Sequence, residues 1–453
     1  MSITERLAAF AGCAKLDSLP PEVVLAARRA LLDTIGVTLA GVAEEGSALV
    51  LAYAREAGGA PEATVLASDL RTSAALAALV NGAFGHALDF DDVGASMRGH
   101  PSVPLVPAVL ALGEKIGSSG GAALTAFVLG FEVESRVGRT LGVSSYARGW
   151  HATSVVGSLG AAAASAKLLG LDTERTRHAL GIAASMASGS RQNFGTMTKP
   201  LHAGLAARNG VEAALLASRG FTADREIIEA PLGFGVLFSP DGDFRPDRLG
   251  EPGEPWEIVS PGISVKKFPC CYVTHRALDA ALAATGGRAI DEADVGAIEV
   301  CVPAGSTSAL IHHRPTTGLE GKFSMEYCVA AAVMDGGVRF PTFEDETVRR
   351  PQAQTLLRRV EVVHVPRDGA AAFPPASVAV QLRDGRSLRA EVVRERGSAA
   401  DPLSWDELVA KYRDCASRAL PPDRVERSLG MLSRFEEIES IRDLMECLGQ
   451  GRE

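Results

Sequence analysis

From Pro21 to Ser218 the apolar residues recur at helical spacing, one segment after another, with brief turns and no period-two pattern between them. Helices are expected over Pro21 to Ala40, Gly46 to Glu56, Ser73 to Asp89, Pro104 to Ile116, Ala122 to Leu141, Ser154 to Leu169, Asp172 to Ala187 and His202 to Ser218. In the first of these, Val24, Leu31, Ile35 and Leu39 form the stripe, Pro21 opens it, Gly41 follows it, and Asp33 sits inside the stripe. The short ATVL after Gly59 reads at most as an isolated strand. Such a run folds as an all-helical domain. Glycine and alanine are abundant while aromatics make up 5%, a composition that suits close helix approach.

After about Phe238 the pattern changes. SPDGDFRPDRLGEPGEPW is rich in Pro, Gly and Asp and reads as a linker or long surface loop. Strand signals follow: VGAIEVCVP, where Ile298, Val300 and Val302 alternate with their neighbours; RRVEVVHV; and a hairpin SVAVQLRDGRSLRAEVV turning at Asp384 and Gly385. Helices from Leu278 to Ala284 and from Ser324 to Met334 lie among them, which describes a small α+β layer. Beyond Pro402 helices return, in WDELVAKYRDCA, from Pro421 to Phe435 and from Glu439 to Leu448. The expected fold class is mainly α: a large all-helical domain of discontinuous sequence, residues 1–262 plus 400–453, carrying an α+β lid domain, residues 263–399. Two crossings between them would make a hinge and leave a cleft.

A net charge of −9 and the lack of any Lys/Arg-rich run argue against nucleic acid or an anionic membrane surface as partner. No apolar run reaches the length of a membrane span, and the start MSITERLAAFAG lacks the pattern of a signal peptide. Seven scattered cysteines, with Cys270 and Cys271 adjacent rather than spaced as CxxC, point to a reducing, cytoplasmic setting and show no zinc or iron–sulfur spacing.

Against this background one stretch stands out. GHALDFDDVGASMRGHPSVP, from Gly85 to Pro104, sets three carboxylates, two histidines and an arginine between apolar runs, so ionisable groups are carried toward a core. Charge in low dielectric must be paired or used. If the helix continues, Asp89 and Asp92 share one face and Asp91 looks elsewhere; the structural alternative is that the acids pair with Arg98 or cap the helix at Pro104. His100 precedes Pro101 and is expected in extended backbone. Further ionisable groups stand at helix starts. His151 follows Trp150 before a clear helix, and Lys199 precedes Pro200 with His202 and Arg208 behind it, an arrangement suited to an anion. Lys266 and Lys267 with His275 lie at the junction into the small domain, where paired lysines also read as solvated surface, and Tyr327 with Lys322 flanks a helix start, where a core tyrosine is the plainer reading. Taken together, these are the groups that bind carboxylates and move protons beside them.

The stretches ARRALLDTIGVTLAG, NGAFGHALDFDD, GHPSVPLVPAVLALGE, FVLGFEVESRVGR, GWHATSVVGSLGAAAASAKLLGLD, TMTKPLHAGLAARNGVEAALLASRGFT and KKFPCCYVTH resemble the MmgE/PrpD family. That family includes 2-methylcitrate dehydratase, cis-aconitate decarboxylase and iminodisuccinate epimerase. The resemblance covers most of Ala27 to His275 and extends more weakly to about Gly337. It implies a homodimer, no metal or organic cofactor, and an active site between the domains drawing on Asp89, His100, His151, Lys199, His202 and Lys266, with a small polycarboxylate as substrate. Arg98 and Lys267 are expected to help hold its carboxylates. Tyr327 lies where the decarboxylases look to have a catalytic tyrosine. MRGHPS, NFGTMTKPLH and PxCYxxH look most like the epimerase, whereas the decarboxylases have a histidine in the place of Cys271. The expected activity is therefore proton abstraction α to a carboxylate, as in an epimerase, with dehydration or decarboxylation as alternatives and a non-catalytic relative that only binds a metabolite as the last.

Overall fold

The computed structural model describes residues 1–240, 242–366 and 375–450. The chain forms two compact units: Met1–Gln192, Lys199–Val265 and Ser404–Glu453 in the first, Asn193–Thr198 and Lys266–Leu403 in the second. The divisions fall a few residues beyond those expected. Asn193–Thr198 joins the second unit because Phe194 packs into that unit's core, its ring 5.3 Å from that of Phe323, and its carbonyl lies 2.9 Å from His312 Nε2.

The first unit is helical. Gly120–Thr140 packs on Ala152–Leu168, Ala74–Ala87 on Ser102–Ile116, and Pro21–Gly41 on both Ala74–Ala87 and Trp405–Ala416. The starts follow side-chain chemistry: Ser73, Ser119 and Asp172 each accept from a backbone amide three residues on. Ser404 and Glu407 form a reciprocal capping box. Two local expectations are corrected. Ala63–Thr64 is not isolated but pairs antiparallel with Arg71–Thr72, and Thr198–Ser218 begins a turn earlier than expected, so Lys199 lies within its first turn. The Pro/Gly/Asp-rich stretch, whose Asp241 lies outside the described residues, is no free linker. Arg136 donates to the carbonyls of Leu249 and Pro255, and Glu132 accepts from the Gly253 amide.

The return of the C-terminal helices fixes a buried ion pair. Asp33, within the apolar stripe of Pro21–Gly41, meets Lys411 Nζ at 2.7 Å, and the same ammonium donates to the Phe90 carbonyl at 3.0 Å and lies 3.8 Å from the centre of the Phe90 ring. Lys411→Met would strand the Asp33 carboxyl and is expected to cost about 3 kcal/mol, read as a lower urea midpoint. Asp33→Leu added to it should restore part of the loss; an unchanged midpoint in the single variant would refute the pair's structural weight.

In the second unit a four-stranded sheet carries the core. Val295–Pro303 pairs in parallel with Val360–Val365 and antiparallel with Ala376–Leu382, which pairs in turn with Ser387–Val392. Ile298 stands opposite Val360 and Val380, and Val300 opposite Val362 and Val378, so the alternating apolar face is continuous across three strands. Helices His275–Thr285 and Met325–Asp335 cover it. The hairpin turns at Asp384–Gly385, where Gly385 has φ +92°. Among the described residues no single helix is long and apolar enough to cross a membrane.

Candidate functional site

Helix Ala74–Ala87 ends at Leu88, and Asp89 then takes φ +51°, a left-handed conformation that aspartate tolerates better than most side chains. The expectation that Asp89 and Asp92 share a helical face is thereby overturned: the helix has ended, and the three acids take three different partners. Asp89 Oδ1 accepts from Lys199 Nζ at 2.7 Å. Asp91 Oδ2 lies 2.8 Å from His86 Nδ1 and 3.1 Å from His100 Nδ1. Asp92 accepts from the Ser102 amide at 3.2 Å and from its hydroxyl, holding the start of Ser102–Ile116.

Helix crossing brings Lys199 to this group. A Cβ on Gly82 would stand 2.7 Å from Gly204 Cα, and one on Gly204 would stand 2.1 Å from the Leu79 carbonyl oxygen, so only glycine allows Ala74–Ala87 and Thr198–Ser218 to touch backbone to backbone. About one turn from that contact on each helix, Lys199 Nζ donates to His86 Nε2 at 2.7 Å. His202 lies one turn further along the same face, and its Nδ1 is 3.0 Å from His151 Nδ1. His151 occupies the N-cap position of Ala152–Leu168 without capping it; its ring stacks at 5.7 Å on that of His86. His100 is held in place by its own amide, which donates to Thr153 Oγ1 at 3.0 Å, and its Nε2 is 3.8 Å from Asp89 Oδ1.

These contacts set proton positions. Burial would raise the Asp91 carboxyl, but the imidazoles of His100 and His86 hold it well below the usual carboxylate range, so it accepts only. His86 then carries its proton on Nδ1 and offers the Nε2 lone pair to Lys199. Burial drives the His86 imidazole down to about 3 against the pull of Asp91, with the Lys199 ammonium adding to the effect. Burial and then Lys199 depress His202 to about 4 and put His151 well below its ordinary value. Both of these rings are neutral at neutral pH. Since they meet Nδ1 to Nδ1, one donates and the other accepts, and their tautomers differ. Behind the cluster, burial, reinforced by Asp33 and Asp91, outweighs the Ser102 bonds and raises Asp92 to about 8. Burial and then Asp92 place Glu134 well above the carboxylate range. The arrangement is thus an ammonium gripped by one carboxylate and one neutral imidazole, flanked by further neutral imidazoles, in a nearly dry setting: Asp89, Asp91, His86, His151, Lys199 and His202 are all at most 4% exposed. It can grip an anionic group and exchange protons with it.

Of the expected residues, Asp89, His100, His151, Lys199 and His202 come together in the first unit. Arg98 does not join them; its guanidinium donates to the carbonyls of Leu141 and Gly142, and among the described residues it forms no ion pair with Asp89, Asp91 or Asp92. In the second unit, Lys266 is fully buried, whereas Lys267 is paired with Asp279 at 2.9 Å and lies over the Phe268 ring. Tyr327 is a core tyrosine with no exposure, its hydroxyl donating to the Thr342 carbonyl. Cys270 and Cys271 are buried. His86 and Asp91 were not singled out from sequence. The signal was present in GHALDFDD, but which acid meets which ring depends on the turn at Asp89.

The MmgE/PrpD N-terminal domain matches residues 5–247 and the MmgE/PrpD C-terminal domain residues 268–437. The chain is 32% identical to the cis-aconitate decarboxylases of Mus musculus and Homo sapiens, over 99% of its own length and 93% and 94% of theirs. It is 26% identical to that of Aspergillus terreus, over 98% of its length and 96% of the relative's. The relatives bear the name of a decarboxylase rather than of the epimerase that the motifs led us to expect, so the decarboxylase alternative fits them better. With one domain of the family matched across more than half of the sequence and the other across most of the remainder, the chain belongs to the MmgE/PrpD family.

Proposed function

We propose that the chain is a lyase that releases carbon dioxide from a small unsaturated tricarboxylate of the cis-aconitate kind. The observation that carries this reading is the buried Lys199 ammonium, 2.7 Å from both Asp89 and His86 and flanked by neutral imidazoles. When carbon dioxide leaves, the electron pair of the broken carbon–carbon bond stays with the substrate. It must be spread toward a remaining carboxylate and then quenched by a proton at carbon. Lys199 supplies the cationic donor for a carboxylate. His100, whose side chain is 13% exposed and so the most accessible imidazole of the cluster, is suited to deliver the proton, with Asp89 and His151 beside it. His202 orients His151. The likeness to cis-aconitate decarboxylases along almost the whole chain supports the same reading.

A second reading, epimerisation of iminodisuccinate, draws on Cys271, which stands where the resemblance gives decarboxylases a histidine. The same proton-handling groups would serve it, as they would dehydration of a 2-methylcitrate-like acid. Incubation of the purified chain with cis-aconitate should release carbon dioxide and form itaconate, followed by NMR. Absence of carbon dioxide, together with α-deuterium exchange into iminodisuccinate, would overturn the decarboxylase reading in favour of the second.

A further inference from the structure

His86, Asp89, Asp91 and His100 each offer a ligand atom, and these four atoms lie within 4.8 Å of one another. Two imidazoles and two carboxylates at that spacing form a donor set for a divalent ion of zinc's kind. Asp91 Oδ1 is buried and accepts no hydrogen bond among the described residues, so the set has an acceptor to spare. A cation already stands at two of these donors: Lys199 Nζ is 2.7 Å from His86 Nε2 and 2.7 Å from Asp89 Oδ1, His100 Nε2 lies 3.8 Å from the same Asp89 oxygen, and Asp91 holds the Nδ1 side of both imidazoles, 2.8 Å from His86 and 3.1 Å from His100.

We propose that this cluster is a cation centre whose resident cation is the tethered Lys199 ammonium, and that zinc takes the same position once that ammonium is removed. Two buried carboxylates in one small space require positive charge nearby, and lysine supplies it without a metal. Zinc bonds at about 2.1 Å, so His86 Nε2 and Asp89 Oδ1 need to close in by roughly half an ångström from their distances to the ammonium nitrogen. In the native chain the metal must displace Lys199 and break its pair with Asp89. In Lys199→Met there is no competitor, and two carboxylates are left for a divalent ion to neutralise.

The test titrates zinc into the full chain by calorimetry, for the wild type, Lys199→Met and Lys199→Gln. Each variant should bind one zinc per chain about a hundredfold more tightly than the wild type, the order set by breaking a buried ion pair. Adding Asp89→Asn to either variant should abolish the gain. Cobalt(II) in place of zinc should give visible d–d bands without the near-ultraviolet thiolate charge-transfer band that ligation by Cys270 or Cys328 would produce. Equal zinc affinity in all three proteins overturns the proposal, and so does a thiolate band. Failure of both variants to reach the native circular dichroism spectrum even with zinc present also overturns it, because zinc should then hold the carboxylates in the ammonium's stead. These readouts do not depend on which substrate the enzyme turns over.

Discussion

Asp89→Asn is expected to lower turnover by roughly a thousandfold, the scale of losing a positioned acid–base group, while leaving the far-ultraviolet circular dichroism spectrum unchanged. Asparagine is close in shape and tolerates the φ of +51° that ends the helix, so the chain can still turn there. Its amide oxygen can still accept from Lys199, but it no longer offsets the ammonium's charge or exchanges a proton. Lys199→Met attacks the other half of the pair and, on the proposed function, should raise KM as well, because Lys199 is there the donor to a substrate carboxylate. The measurement is steady-state kinetics of carbon dioxide release from cis-aconitate, the proposed substrate. An Asp89→Asn variant retaining more than about a tenth of the wild-type rate would remove Asp89 from the chemistry.

The second large effect concerns stability above neutral pH. Asp92 is raised to about 8 in the fold, whereas in the unfolded chain it titrates near the ordinary carboxylate value. Between the two values the folded chain holds a proton that the unfolded chain has released, so the contribution is present in acid and is lost as pH rises toward 8. Below about 6.5 the depressed imidazoles of His86, His151 and His202 act in the opposite sense, since the unfolded chain then takes up protons that the folded chain refuses. From about 6.5 to 8 the unfolded chain's histidines go from half protonated to neutral, a contribution common to the wild type and to a variant that changes Asp92 alone, so comparing the two isolates the raised acid. Asp92 should cost the wild type up to about 1.4 kcal/mol per pH unit there, roughly 2 kcal/mol across the window. Asp92→Asn keeps one acceptor for the Ser102 amide, can donate from its NH2 to the Ser102 hydroxyl, and has nothing to titrate, so its unfolding free energy should fall less with rising pH than the wild type's. Denaturant unfolding at several pH values between 6.5 and 8 decides it; parallel slopes in the two proteins would mean that Asp92 ionises in the fold.

Much of the helical architecture was legible in local pattern. Ser73, Ser119, Asp172 and Ser404 mark starts that the structure uses as caps, and the alternation of Ile298, Val300 and Val302 became the buried face of the sheet. The candidate site residues were readable as types of group in unusual company, and five of them, Asp89, His100, His151, Lys199 and His202, do converge. The reading failed where a single backbone angle intervened. With Asp89 assumed helical, its partners could not be inferred, and Asp91, the acceptor shared by two histidines, was set apart from Asp89 and not counted among the candidate site residues. Arg98 and Lys267 were chosen for their charge, which says nothing of the carbonyls and the Asp279 carboxylate that engage them.

Periodicity, capping residues and turn chemistry act over a few positions, and so the sequence by itself determined where helices and strands form, which faces are apolar, and that ionisable groups enter the core near Asp89. Only the tertiary structure decided the partners: Lys199 with His86 and Asp89 across a glycine–glycine crossing, and Lys411 on the Phe90 carbonyl from the far end of the chain. The physical reason is that a buried charge is stabilised by whichever opposite group packing brings within about 3 Å, and that approach is set by how closely whole helices can pass one another, a property no local stretch of sequence contains.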